Sequence, residues 1–168
     1  MSAKHSGYVA LLGRPNAGKS TLLNALVGER VAIVTHKPQT TRHRITGIVT
    51  RDEGQAVFVD TPGLHRRRDH ALNRRLNRIA ADTRQGVDLV VMLVDATGWT
   101  DEDQMVLEMV GQLEVPRILA FNKIDLLDDR SSLLEKTAQV SAQVDFDAVV
   151  YISAQKRKGL EDLFDEVF

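Results

Sequence analysis

The octapeptide Gly13-Arg14-Pro15-Asn16-Ala17-Gly18-Lys19-Ser20 constrains this chain more than any other stretch. It has the form G-x-x-x-x-G-K-S, the pattern of a loop that wraps a chain of phosphates. So short a pattern recurs by chance, and its neighbours decide its meaning. The apolar run Tyr8-Val9-Ala10-Leu11-Leu12 leads in as a buried strand, and Thr21 to Val27 leads out with helix-compatible residues that stop at Gly28. Strand, glycine loop and helix is the order that phosphate binding requires. Gly13 and Gly18 let the backbone turn tightly and come close to the phosphates. The amides from Asn16 through Ala17, Gly18, Lys19, Ser20 and Thr21 can then form an anion nest at the positive end of the helix. Lys19 can reach the terminal phosphates and the Ser20 hydroxyl can ligate Mg2+. The competing reading is a glycine turn before an ordinary helix, with Lys19 solvated.

Downstream, apolar and polar stretches alternate in a way that builds a fold around that loop. Val31 to Val34 is short and β-rich, and the polar stretch from Thr35 to Arg42 reads as a loop. Ile45 to Thr50, the turn Asp52-Glu53-Gly54 and Ala56 to Val59 make a hairpin. Leu64 to Gln85 is arginine-rich with helical spacing, and the apolar run Asp88 to Ala96 marks a strand covered on both faces. Thr100 caps a helix whose first turn is Asp101-Glu102-Asp103 and whose inner face is Val106, Met109, Val110 and Leu113. Arg117 to Phe121 forms a strand, Leu133, Thr137, Val140 and Val144 give a helix its inner stripe, and Ala148 to Ile152 forms a last strand. Leu160, Leu163, Phe164 and Val167 begin a final helix.

Strands alternating with helices predict an α/β fold with a mostly parallel, doubly wound sheet, and the early hairpin puts one antiparallel strand at its edge. Ligands of such sheets bind beyond the carboxyl ends of the strands. A length of 168 residues suits one domain with a real core. Net charge −1 favours neither nucleic acid nor membrane as a whole-molecule partner. The absence of cysteine excludes disulfides and thiolate metal sites and fits a cytoplasmic setting. No apolar run is long enough for a transmembrane segment.

Two further motifs specify the ligand. Asn122-Lys123-Ile124-Asp125 follows a buried strand. The Asp125 carboxylate offers two adjacent acceptors to the ring N–H and exocyclic amine of guanine, a donor pair that adenine lacks. Asn122 can bridge base and neighbouring loops, and the Lys123 stem can lie over the purine face. Ser153-Ala154 can bring a backbone N–H near the guanine carbonyl. Asp60-Thr61-Pro62-Gly63 forms D-x-x-G. Asp60 can hold Mg2+ through water, and the Gly63 N–H can meet the γ-phosphate. Thr41 can reach the metal when GTP is bound. Segments tied to one phosphate loosen when it leaves, which makes them switches.

In this order, these elements resemble the translation-factor class of P-loop GTPases. Pro38-Gln39-Thr40-Thr41-Arg42-His43-Arg44, Asp60 to His65, and Trp99-Thr100 before an acidic helix start narrow the resemblance to the Era family over nearly all of the chain. It implies a P-loop NTPase three-layer sandwich with a six-stranded sheet, and GTP and GDP as ligands with Mg2+. It also implies Lys19, Thr41 and Gly63 as catalytic groups, and Ser20, Thr41 and Asp60 as metal ligands. Era-like proteins hydrolyse GTP and assist assembly of the small ribosomal subunit. They bind 16S rRNA through a KH-type domain, and some associate peripherally with the inner membrane. No G-x-x-G loop occurs here. Residues 1–168 are expected to be a GTPase domain without the KH half, which is either excised, the reading favoured by a final helix that stops mid-pattern, or naturally missing.

Leu64 stands where Ras-like enzymes have a water-orienting glutamine, so slow intrinsic hydrolysis is expected. Two readings of Asn16 stand: it helps bind K+, which supplies charge as an arginine finger would, or it stabilises the loop turn. Arg42 reads as a solvated loop residue or as an internal finger. The cluster Arg66, Arg67, Arg68, Arg74, Arg75 and Arg78 reads as an rRNA phosphate contact or as a solvent-facing switch helix. The alternative to a GTPase is a nucleotide-gated binding module with negligible hydrolysis.

Overall fold

A computed structural model describes residues 5–27, 44–60 and 86–168, apart from the side chains of Val27, Arg44 and Asp60. Thr41, Gly63, Leu64, Arg42, the short stretch 31–34 and the arginine-rich segment 64–85 lie outside the described residues. Six strands form one sheet: β1 (His5–Leu12), β2 (Arg44–Thr50), β3 (Gly54–Asp60), β4 (Leu89–Asp95), β5 (Arg117–Asn122) and β6 (Ala148–Tyr151). Their order is β2-β3-β1-β4-β5-β6. β2 pairs antiparallel with β3 at one edge and every other pairing is parallel. The described helices are α1 (Lys19–Val27), α2 (Asp101–Gly111), α3 (Ser131–Ser141) and α4 (Leu160–Val167).

Alternate residues of the central strands serve opposite faces, as the period of two requires. Val9 and Leu11, Val91 and Leu93, and Ile118 and Ala120 pack with Leu22, Leu26, Leu160, Leu163 and Phe164 of α1 and α4. Ala10 and Leu12, Val90, Met92 and Val94, and Leu119 and Phe121 pack with Val106, Leu107, Val110, Leu133 and Val140 of α2 and α3. Two helical layers around one sheet are the expected three-layer sandwich. The unbroken apolar run from Leu89 to Val94 in β4 follows from its having no solvent face.

Local signals set the element ends. Thr100 and Asp103 form the reciprocal capping box of α2. The hairpin turn closes between Arg51 and Gly54. Register slips between Ile45 and Gly47, where the extra residue Thr46 donates its hydroxyl to the Phe58 carbonyl at 3.2 Å. α3 ends at Ser141, so Val144 packs on the core from the following turn rather than from the helix. Among the described residues, no helix is long and apolar enough to cross a membrane.

Candidate nucleotide-binding site

The carboxyl ends of β1, β3, β4 and β5 carry the P-loop, Asp60, Asp95 and Asn122, with the Ser153-Ala154 turn just beyond β6. The sheet alone brings these groups to one rim. Parallel pairing of β1 with β3 sets Ala10 beside Val59, so the P-loop and Asp60 leave the sheet side by side.

Within the P-loop, Asn16 has φ 66° and Gly18 φ 103°. Left-handed conformations in succession with right-handed ones turn consecutive amides toward one point, the geometry of an anion nest. Gly18 has a second reason to lack a side chain, because a Cβ would collide with the Asn122 amide nitrogen. Gly13 answers to packing instead: a Cβ there would lie 2.6 Å from the Leu93 carbonyl of β4. Lys19 Nζ donates to the Gly13 carbonyl at 2.6 Å, across the mouth of the loop. Ser20 and Thr21 are exposed in the first turn of α1.

Asn122 is the post on which the loops meet. Buried at 2 % exposure, it donates through Nδ2 to the Ala17 carbonyl at 2.9 Å and accepts at Oδ1 from the Ala154 amide at 3.0 Å. Ser153, wholly buried, donates from its hydroxyl to Asp125 Oδ1 at 2.6 Å and fixes that carboxylate's orientation. The Ser153 amide donates to the Lys158 carbonyl. The Ala154 amide is likewise already engaged, by Asn122 Oδ1.

Lys123 occupies the left-handed region at φ 67°, strain of the sort that concentrates at functional sites. Its ammonium donates to the Asn16 carbonyl at 2.7 Å and to Asp95 Oδ2 at 2.8 Å. The carbonyls of Asn16 and Ala17 are thus tied to Lys123 and Asn122, while the Ala17 amide closes a turn on the Arg14 carbonyl at 3.2 Å. Burial pushes the Asp95 carboxyl up, but hydrogen bonds from Lys123 and from the Thr97 hydroxyl and amide outweigh it and hold the group below the ordinary aspartate range.

Sequence reasoning missed Asp95, Arg14 and Asp103. Asp95 carried a signal, as the one charged residue closing the apolar run of β4 at the ligand-binding edge. Arg14 and Asp103 carried none, since their meeting depends on how α2 docks.

Comparison with known proteins agrees with this geometry. A family model described as 50S ribosome-binding GTPase matches residues 8–123. GTPase Era of Xanthomonas oryzae pv. oryzae is 51% identical over 166 residues, covering 99% of this chain and 56% of the relative. The chain thus spans little more than half the length of the curated relatives it matches. A crystal structure of Era in complex with MgGDPNP and nucleotides 1506–1542 of 16S ribosomal RNA superposes with TM-score 0.75 at 31% identity, over 98% of this chain and 56% of that one. An Aquifex aeolicus Era variant bound to GDP and AlF4− gives 0.74 at 32%, over 96% and 56%. The chain belongs to the family of 50S ribosome-binding GTPases, and its similarity to Era runs nearly its whole length.

Proposed function

We propose that this chain binds GTP and hydrolyses it to GDP and phosphate, as the switch domain of a ribosome-assembly factor resembling Era. The observation that carries the reading is Asn122, which joins the P-loop carbonyl of Ala17 to the amide of Ala154. A phosphate cradle and a base pocket thereby share one rigid support. In this reading the amides from Asn16 to Thr21 bind the polyphosphate, with Lys19 on the terminal phosphates. Asp125 pairs with guanine, walled by Ser153 and Ala154. Ser20, Asp60 and Thr41 hold Mg2+, whose charge offsets negative charge developing on the phosphates. Gly63 meets the γ-phosphate through its amide. Hydrolysis is slow without a partner, because Leu64 cannot hydrogen-bond water.

The family's description names the large ribosomal subunit, whereas the Era complex holds a fragment of 16S rRNA, which belongs to the small one. The Era complex is the more specific guide, since its protein resembles this chain over 98% of its residues. We therefore assign the small subunit as partner of the whole protein.

Two measurements test the reading. Calorimetric competition should show GTP displacing GDP while ATP at the same concentration does not. Phosphate release from GTP over hours should exceed that of the protein carrying Lys19→Ala. GTP binding with phosphate release equal to that of Lys19→Ala would instead establish a nucleotide-gated binding module.

A further inference from the structure

Arg14 occupies one of the unspecified positions of G-x-x-x-x-G-K-S, so phosphate binding gives no reason for an arginine there. Pro15 restricts the Arg14 backbone to extended conformations and presets the direction of its side chain. That side chain serves α2: Nε donates to Asp103 Oδ2 at 2.9 Å, and Nη2 lies 3.4 Å from the Gly98 carbonyl and 3.7 Å from Asp95 Oδ2.

Asp103 is wholly buried in the first turn of α2. Its Oδ2 also accepts from the Thr100 amide and hydroxyl, while Oδ1 is buried with no partner among the described residues. A buried carboxylate of this kind depends on a cation beside it. Asp95 is shared in turn, with Lys123 at 2.8 Å on the same oxygen. Asp103, Arg14, Asp95 and Lys123 make a row of alternating charges from α2, past the P-loop, to the Asn122–Asp125 motif.

We propose that Arg14 is a positioning residue for the diphosphate: it clamps the P-loop to the first turn of α2 and so preorganises the loop's amides. The inference rests on the nucleotide reading above. Preorganisation raises affinity by removing the ordering cost from the binding step.

The test is calorimetry with Mg·GDP and Mg·IDP on the protein and its Arg14→Gln, Arg14→Lys and Arg14→Gln/Asp103→Asn variants. Arg14→Gln should weaken GDP binding about tenfold at unchanged stoichiometry, on the scale that outer supports of a site carry. Arg14→Lys, which keeps a cation beside Asp103, should recover most of that loss. The GDP-to-IDP ratio should stay as in the parent, because Asp125 is untouched. Where Arg14→Gln alone does not fold, the double variant removes both charges and should show the same loss. Parent-like GDP binding by the glutamine variants overturns the inference. So does a lysine variant no better than glutamine, or an altered GDP-to-IDP ratio. Failure of the unsubstituted protein to bind GDP overturns the nucleotide reading itself, before any variant is compared.

Discussion

At Asp125, one short hydrogen bond from Ser153 fixes Oδ1 and with it the orientation of the carboxylate that the nucleotide reading assigns to guanine. Asp125→Asn replaces one acceptor with a donor, so preference should move from GTP toward xanthosine triphosphate by about 10²-fold. Competition calorimetry reads this, and an unchanged preference ends the assignment of guanine. Asp95 gives a pH prediction. Its folded-state affinity for a proton is depressed, so it contributes stability above the ordinary aspartate range and loses it as pH falls below that range. The stability gap between the protein and its Asp95→Asn variant should be constant above about pH 5 and narrow below about pH 4 in urea unfolding. Asn16 is exposed at left-handed φ, the conformation the turn reading asks of an asparagine. If it also helps bind K+, turnover should be faster in KCl than in NaCl at equal ionic strength. Equal rates leave it the turn alone.

Among the elements, α2 shows how far periodicity reaches. Its inner face by helical spacing is Val106, Met109, Val110 and Leu113, and all four are buried, although the helix ends at Gly111 and Leu113 packs from just beyond it. That set leaves out Leu107, yet Leu107 is wholly buried, because it lies four residues after Asp103 and three before Val110 on the same buried face. Leu107→Ala should cost about 2–5 kcal/mol in denaturant unfolding, whereas a partly exposed flank would lose far less. The cap of the same helix is legible in sequence, since Thr100 and Asp103 are three residues apart and need no tertiary partner to find each other. Asp103's second role is not legible there. The residue that neutralises it lies 89 positions away in the P-loop.

Over the whole molecule, near-neutral net charge hides a local excess, the six arginines between 66 and 78. If they meet rRNA phosphates, binding of this chain to a 16S 3′-end fragment should weaken as salt rises, with a log–log slope of about −0.7 per phosphate contacted. Binding indifferent to salt would return them to the role of a solvated face. Local sequence dictates the kinds of elements, their succession and the strand ends that carry chemistry. Those depend on hydrophobic period, glycine and capping residues acting over a few positions. Sheet order, and with it which loops touch, is settled in the closed fold. By setting β4 beside β1 and β5 beside β4, it lets Asn122 grip Ala17 across 105 residues, Lys123 share Asp95, and Arg14 reach α2. No local pattern encodes those meetings, because each depends on long-range packing that only the assembled core supplies.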